Sequence, residues 1–336
     1  MATIHNGTAA DLDFLADFLR SGGLVAVPTE TVYGLAAHAL DATACARVFE
    51  AKGRPAYDPL IVHVSSRAAA DRVATFNTPA EVLAAAFWPG PLTLILPKKP
   101  CVPDAVTSGR TTVAVRVPAH PAMHALLERS GLPLAAPSAN PFGYISPTTA
   151  AHVQAGLGDR IDHILDGGPC TIGVESTIVD VRDPLDPVVL RPGGVPVEAL
   201  AAALGRPVRV HRPATATAPQ RSAPEGELAP GMLERHYSPR TPLLVRDVPF
   251  SADALRTPSP RVARVCFARP PASAAPDVRF LSASGDLAEA AHALFALLRE
   301  LDAAGLERIE VEPAPDTGLG VAINDRLRRA AAKSGG

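Results

Sequence analysis

The first candidates for chemistry are two cations, Lys52 and Arg54, which stand two residues apart just after a predicted helix. A guanidinium can bind two phosphate oxygens as a fork, and an ammonium adds a compact point charge, so this pair could clamp a phosphate. A basic last helical turn that complements the helix dipole has the same residue types and is common. The pair alone leaves both interpretations open.

Hydroxyls, an amide and a third cation could complete an anion site. Ser138 and Asn140 follow a short apolar strand, either as ligands or as an ordinary Ser/Asn turn. Ser146 precedes a predicted helix start whose free N–H groups could hold an anion, although simple capping is the more frequent role. Arg191 stands at a strand end before a turn. These groups suit phosphate, and the sequence contains no evident nucleophile and no GxGxxG, Walker or HExxH motif.

A second set of polar groups lies in the stretch 28–35, which reads Pro-Thr-Glu-Thr-Val-Tyr-Gly-Leu. It follows an apolar run at 24–27 that predicts a buried strand, which the proline would end. Two hydroxyls, a carboxylate and a phenol so close together suggest a site at the edge of a sheet. A helix start with Thr29 as its N-cap is the alternative.

Two polar residues stand inside apolar strands. Arg116 lies in Val-Ala-Val-Arg-Val, where a guanidinium must be paired or reach an open face. A structural salt bridge and a ligand carboxylate explain it equally well. His63 lies in Leu-Ile-Val-His-Val, where a hydrogen-bonded core histidine is the better interpretation.

The elements that must position these residues form an α/β pattern. Strands and helices alternate through 1–208, with several strands close together near its end, which predicts a mixed sheet. A proline-rich segment at 209–240 predicts a linker. A second alternating unit at 241–336 predicts a small α/β domain, whose last helix, at 322–332, exposes Arg326, Arg328 and Arg329.

Composition excludes several classes of protein. The 336 residues are 47% apolar and 4% aromatic, and the net charge of −2 gives no field for nucleic acid or a membrane. Four widely spaced cysteines argue against a zinc site or a disulfide framework and fit a reduced, cytoplasmic compartment. No signal peptide or transmembrane stretch is expected.

The ordered motifs resemble the YrdC family in its two-domain form, the L-threonylcarbamoyladenylate synthases. In chain order they read Pro-Thr-Glu-Thr-Val-Tyr-Gly-Leu, Lys-Gly-Arg-Pro, Pro-Leu-Ile-Val-His-Val, Trp-Pro-Gly-Pro-Leu-Thr-Leu, Val-Arg-Val-Pro, Ala-Pro-Ser-Ala-Asn, Ser-Pro-Thr-Thr-Ala, Glu-Ser-Thr-Ile-Val-Asp and Leu-Arg-Pro-Gly-Gly. Arg-His-Tyr-Ser-Pro in the linker and Ala-Ile-Asn-Asp-Arg-Leu near the end resemble the two-domain form.

The resemblance implies a fold, a reaction and partners. The fold is a twisted mixed-sheet YrdC-like domain with a concave active-site face, followed by a small Rossmann-like α/β domain. The reaction converts L-threonine, bicarbonate or CO2, and ATP into threonylcarbamoyl-AMP and pyrophosphate. The product serves a downstream threonylcarbamoyl transferase complex that modifies an adenosine beside the anticodon of tRNA. Direct tRNA binding would be weak.

Residue roles carried over from the family are hypotheses for the matching positions. Lys52 and Arg54 are the catalytic candidates, and Mg²⁺ arrives with the ATP phosphates. His236 and Tyr237 belong to a lid formed by the linker. Asp58 stands where asparagine is expected near the nucleotide, so its role is in doubt unless a cation meets it. The nucleotide set is Lys52, Arg54, Asp58, Thr112, Ser138, Asn140, Ser146 and Arg191; the threonine set is Thr31, His63, Arg116, Ala136 and Ser176, with Tyr33 a weaker candidate.

Two other functions compete. A YrdC-like concave face could bind double-stranded RNA or tRNA on Lys52, Arg54 and Arg191, although sparse aromatic residues and near-neutral charge count against it. A carbamoyltransferase that forms carbamoyl-adenylate is the other alternative. The zinc-finger and acylphosphatase modules expected with that activity are not found in this sequence.

Overall fold

One mixed sheet of eleven strands organises the first domain, in a computed structural model that describes residues 1–211, 236–275 and 277–332. Its strands are β1 (Thr3–His5), β2 (Val25–Val27), β3 (Gly34–His38), β4 (Ile61–His63), β5 (Leu92–Pro97), β6 (Thr112–Arg116), β7 (Leu134–Ala135), β8 (His163–Leu165), β9 (Thr177–Asp180), β10 (Val188–Arg191) and β11 (Arg209–Val210). Their spatial order is β1-β8-β2-β3-β7-β4-β6-β5-β9-β10-β11. The predicted mixed sheet is confirmed, and β11 extends it into the predicted linker.

Eight helices accompany this sheet among the described residues: α1 (Ala9–Arg20), α2 (Ala42–Lys52), α3 (Arg67–Ala70), α4 (Thr78–Phe87), α5 (Asp104–Thr107), α6 (Pro121–Ser130), α7 (Ala150–Leu157) and α8 (Val197–Leu204). Their starts follow from local chemistry. The sequence Thr8-Ala-Ala-Asp11 predicts a capping box for α1, and the structure contains it, because each side chain accepts the other's backbone N–H. The sequence also predicts Asp41 as the cap of α2, which the structure confirms, and Thr149 caps α7.

The stretch after Pro28 is not a helix start, so the alternative with Thr29 as an N-cap is wrong. The Thr29 hydroxyl accepts the N–H groups of Thr31 and Val32 and closes a tight turn. The chain then returns as β3, antiparallel to β2, with Val27 opposite Gly34. The turn therefore projects from the end of β2, an interior strand of the sheet.

Adjacent strands bring the two polar strand residues together. Strands β4 and β6 are parallel, and the register places His63 beside Arg116 at the end of each strand. Strand β7 runs antiparallel to β4, and the backbone N–H of Ala136 just beyond it bonds to the carbonyl of Ile61. The three strands are neighbours inside the sheet, with His63 and Arg116 at the end of β4 and β6 and Ala136 beside the start of β4.

The second domain has four parallel strands, β12 (Leu243–Val245), β13 (Val262–Ala268), β14 (Val278–Ser282) and β15 (Arg308–Val311), in the order β12-β15-β13-β14. Helices α9 (Ala252–Arg256), α10 (Leu287–Ala303) and α11 (Leu319–Ala331) connect or follow them. An all-parallel sheet with helical connections confirms the predicted Rossmann-like α/β unit.

The two domains share a hydrophobic core. Val32, Ile145 and Val174 of the first domain pack in one cluster with Leu294 and Ile323 of the second. Residues 212–235, most of the predicted linker and lid, lie outside the described residues.

Within the described ranges, none of the helices has the length and apolar character needed to cross a bilayer.

Candidate active site

A cavity of about 50 Å³ lies against the neighbouring strands β4, β6 and β7, facing the turn after Pro28. It collects residues from distant parts of the chain. All five residues predicted to hold threonine line it, together with three of the predicted nucleotide residues and both predicted lid residues. The lining consists of Thr29, Thr31, Val32, Gly34, Arg54, Ile61, His63, Arg116, Ala136, Pro137, Ser138, Glu175, Ser176, Arg191, His236 and Tyr237.

Arg116 is held rigidly at the cavity wall. Its Nη2 lies 2.7 Å from Oε1 of the buried Glu30, its Nη1 donates to the Thr31 hydroxyl at 3.0 Å, and its Nε donates to the Gly90 carbonyl at 3.1 Å. Arg116 therefore forms a structural salt bridge and also lines the cavity, so the two interpretations of this residue are compatible. A guanidinium fixed in this way is preorganised for a ligand carboxylate.

His63 stays neutral beside this cation. Burial, and then the charge of Arg116, lower the pKa of His63 to about 3. A neutral imidazole at the cavity wall can exchange a hydrogen bond with a ligand without adding positive charge.

Ser176 is fixed from two sides. Its hydroxyl lies 2.8 Å from the Thr93 hydroxyl and accepts from Nη2 of Arg191 at 3.1 Å. Arg191 also donates from Nε and Nη2 to the Ser176 carbonyl. The same guanidinium thus orders a hydroxyl that is predicted to contact threonine, and it brings a positive charge to the cavity.

The sharp end of helix α2 sets the direction of Lys52 and Arg54. Gly53 adopts φ 63° and ends the helix, a left-handed conformation that glycine accepts readily. The Lys52 ammonium donates to the carbonyls of Ser138 and Asn140, each at 2.5 Å. This contact ties the end of α2 to the loop that carries two other predicted phosphate ligands.

Asp58 meets a cation, which answers the doubt raised by its sequence. Its fully buried carboxylate pairs with Nη2 of Arg54 at 2.8 Å, and Arg54 also donates to the backbone carbonyls of Asp58 and Pro59. Burial lowers the pKa of Arg54, while Asp58 acts in the opposite direction. Asp58 thus positions Arg54 and offsets its charge.

His236 and Tyr237 form a wall of the cavity next to these cations. Burial, followed by the charges of Arg54 and Lys52, lowers the pKa of His236 far below its ordinary value. Tyr237 has φ 64°, which is rare for a bulky residue, and its ring stacks on Phe295 of α10 with centroids 5.6 Å apart. The second domain therefore holds this segment against the first.

Comparison with known proteins decides the family. A model described as Sua5_yciO_yrdC, telomere recombination, matches residues 17–193, and one described as the threonylcarbamoyl-AMP synthase C-terminal domain matches residues 195–332. The threonylcarbamoyl-AMP synthase of Pyrococcus abyssi is 43% identical over 325 residues, covering 94% of this chain and 92% of the relative. That of Bacillus subtilis is 41% identical over 327 residues, covering 94% and 91%.

The chain belongs to the threonylcarbamoyl-AMP synthase family. The crystal structure of Pyrococcus abyssi Sua5 complexed with L-threonine agrees, with a TM-score of 0.85 and 40% identity, covering 98% of this chain and 97% of that one. The resemblance and the two-domain fold inferred from the sequence motifs are confirmed.

Five residues of the predicted nucleotide set of this synthase-family chain do not line the cavity. Lys52 donates to the carbonyl of Ser138, and Asp58 pairs with Arg54; both of these partners line the cavity. Asn140 is buried and donates from its side-chain amide to the carbonyls of Pro141 and Tyr144. Ser146 donates to the carboxylate of Glu175 at 2.5 Å. Thr112 starts β6, four residues and about 13 Å before Arg116, so its nucleotide role stays a prediction.

Two residues that the sequence interpretation missed complete the site. Glu175 lines the cavity, although only the neighbouring Ser176 was singled out within its motif. Arg326, predicted to be exposed on the last helix, is only 1% exposed and bonds to Glu175, so that prediction is wrong. Arg328 is exposed, as predicted, and Arg329 is half-buried. The sequence of this helix could not predict which of its arginines is buried against the first domain.

Proposed function

We propose that this chain makes threonylcarbamoyl-AMP and pyrophosphate from L-threonine, bicarbonate or CO2, and ATP. The observation that carries the proposal is the convergence of Thr31, His63, Arg116, Ala136 and Ser176 on one cavity, beside Arg54 and Arg191. Family membership and the threonine complex of the Pyrococcus abyssi relative support the same activity.

The site performs this reaction by positioning and charge rather than by a covalent enzyme intermediate. The preorganised Arg116 takes the threonine carboxylate. The ammonium loses one proton to solvent, and the resulting amine attacks CO2 and loses a second proton to solvent as the carbamate forms. A carbamate oxygen then attacks the α-phosphorus of ATP, and pyrophosphate leaves. Fixed cations stabilise the charge that develops on the phosphates, a role for Lys52, Arg54 and Arg191. The walls formed by His236 and Tyr237 exclude water from the hydrolysable product.

Mg²⁺ belongs to this proposal as a companion of ATP. The predicted phosphate ligands are cations, hydroxyls and an amide, which suit phosphate oxygens rather than a bare metal ion. The one acid among them, Asp58, is paired with Arg54. Mg²⁺ commonly binds through substrate phosphates and retains several waters. It would neutralise phosphate charge when bound, and the chain's own residues would hold the nucleotide.

The direct experiment measures pyrophosphate release from ATP with each amino acid in turn, with and without bicarbonate. We expect turnover with threonine, dependent on bicarbonate and abolished by removal of Mg²⁺. Equal turnover with all amino acids, or turnover without bicarbonate, would contradict the proposal.

The product would pass to a threonylcarbamoyl transferase complex that modifies tRNA in the cytoplasm. Addition of such a complex and tRNA should consume the adenylate and form threonylcarbamoyladenosine. Direct tRNA binding by this chain should be weak; affinity that falls steeply with salt would instead favour a nucleic-acid-binding role.

A further inference from the structure

Arg326 brings a charge from the second domain to Glu175, which lines the cavity of the first. It lies on α11, is 1% exposed, and donates from Nε to Oε2 of Glu175 at 2.7 Å. Its Nη1 bonds to Asp325 at 2.6 Å, and its guanidinium lies 5.1 Å from the centroid of the Tyr237 ring. Burial opposes its charge, but Tyr237, Glu175 and Asp325 outweigh burial and raise the pKa of Arg326. The arginine is therefore a fixed cation.

Its partner Glu175 is held at both carboxylate oxygens. Oε2 accepts from Arg326, and Oε1 accepts from the Ser146 hydroxyl at 2.5 Å. The Glu175 backbone carbonyl also accepts from the N–H of Gly194 at 3.0 Å. The carboxylate has one orientation, and that orientation is set across the domain boundary.

Glu175 is the one acidic residue among the described residues that line the cavity. The other charged residues of this lining are Arg54, Arg116 and Arg191. Threonine enters as a zwitterion, so its ammonium needs an anionic or accepting surface while its carboxylate pairs with a guanidinium. Within this lining, Glu175 supplies the negative charge.

We propose that Glu175 faces the ammonium of the amino-acid substrate and that Arg326 is a positioning residue acting through Glu175. The second domain thereby completes the amino-acid site of the first. This inference rests on the proposed function and extends it to two residues that the family motifs did not assign.

A purely structural ion pair would have the same geometry, so stability alone cannot test the inference. Breaking a buried pair destabilises a protein whether or not the pair serves a substrate. The two roles differ in how the loss of Arg326 would affect threonine binding. A positioning residue acts through its partner, so removing both should cost no more function than removing the partner alone.

The experiment is a double-mutant cycle on the full chain, using Arg326→Met, Glu175→Gln and the double variant. Threonine KM, ATP KM and kcat are measured from pyrophosphate release. We expect each single variant to raise threonine KM at least about tenfold, the range for a lost charge-assisted hydrogen bond. The double variant should match Glu175→Gln within about twofold. If the rise in threonine KM in the double variant equals the product of the rises in the two single variants, the inference is wrong.

Two further variants control the cycle. Arg328→Met changes an exposed arginine on the same helix and should leave threonine KM unchanged. Arg326→Lys keeps the charge and should recover part of the threonine affinity lost in Arg326→Met. If Arg326→Met does not fold, Arg326→Lys carries the same cycle with Glu175→Gln.

The contrast between the two substrates adds a readout that a structural role would not move. In both single variants threonine KM should rise more than ATP KM, because the proposed contact is with the amino acid. An equal rise in both KM values would overturn the inference. Failure of the unaltered chain to use threonine would instead refute the proposed function.

Discussion

At the scale of single residues, paired charges make the site rigid before any substrate arrives. Arg54 pairs with Asp58, Arg116 with Glu30 and Arg326 with Glu175. Buried pairs of this kind contribute little net stability, because desolvation offsets much of their attraction. Their benefit is orientation: a guanidinium already fixed by one carboxylate loses little freedom when a ligand binds.

Arg116→Lys tests the carboxylate assignment while keeping a positive charge beside Glu30. Lysine lacks the planar fork that bonds Thr31, Glu30 and a ligand together, so threonine KM should rise about 10- to 100-fold. ATP binding, measured by calorimetry without threonine, should stay nearly unchanged. An unaltered threonine KM would show that Arg116 serves the fold alone.

His63 should make stability depend on pH. The folded chain keeps His63 neutral to about pH 3, whereas in the unfolded chain it takes up a proton below its ordinary pKa of 6.5. The contribution of neutral His63 to the free energy of unfolding is thus complete above pH 6.5, and it is lost as the pH falls from there towards 3. Between pH 7 and pH 5 the unfolding free energy of His63→Leu should fall about 2 kcal/mol less than that of the unaltered chain. Urea titrations at both pH values measure this, and equal decreases would contradict it.

At the scale of elements, strand ends and the loops beyond them place the site. The loop after β10 lies directly on the backbone that carries Glu175 and Ser176. A Cβ added at Gly193 would lie 2.3 Å from the Glu175 carbonyl oxygen and 2.4 Å from the Ser176 carbonyl carbon. The Thr177 hydroxyl adds two bonds to the backbone of Val195. This close approach requires glycine.

Gly193→Ala should displace the Glu175–Ser176 segment and weaken threonine binding at least tenfold, because the clashing atoms are backbone and cannot rotate away. Gly156→Ala is the matched control. Its added Cβ would meet only the Pro141 side chain, with the nearest atom 3.2 Å away, within helix α7. Threonine affinity by calorimetry compares the two. Equal affinities would mean that the loop yields to the added methyl group.

Local patterns in the sequence predicted much of this architecture but not its long-range contacts. The capping box at Thr8, the strand with His63 and the mixed sheet follow from periodicity and turn chemistry. Strand β3 was missed because Gly34-Leu35-Ala36-Ala37 lacks the β-branched residues typical of strands. The bond from Arg326 to Glu175 joins residues 151 positions apart in different domains. Only the docking of those domains decides which arginine of the last helix is buried.

At the scale of the whole molecule, the two domains behave as one packed body within the described residues. Beyond the shared core, Arg299 of α10 donates to the backbone carbonyls of Ser146 and Ile145. Tyr144 donates to Asp302 at 2.6 Å. These contacts attach the second domain to the loop that leads into α7, next to the cavity.

Unfolding should therefore be a single transition. The only tryptophan in the sequence, Trp88, lies in the first domain, so its fluorescence reports that domain, while far-UV circular dichroism reports both. The two signals should coincide across a urea titration, because separating the domains would expose Val32, Ile145 and Val174. Two separated midpoints would show that the domains unfold independently.

The wall formed by His236 and Tyr237 has a kinetic consequence. Both side chains are buried, and the Tyr237 ring stacks on Phe295 of α10. We expect this wall to open before threonine enters, so that the apparent affinity is the intrinsic affinity reduced by the population of the open conformer. Observed association rates should level off at high threonine concentration, at the rate of the conformational step. In stopped-flow experiments Phe295→Leu, which loosens the stacking on Tyr237, should raise that plateau; a rate linear in threonine would contradict this.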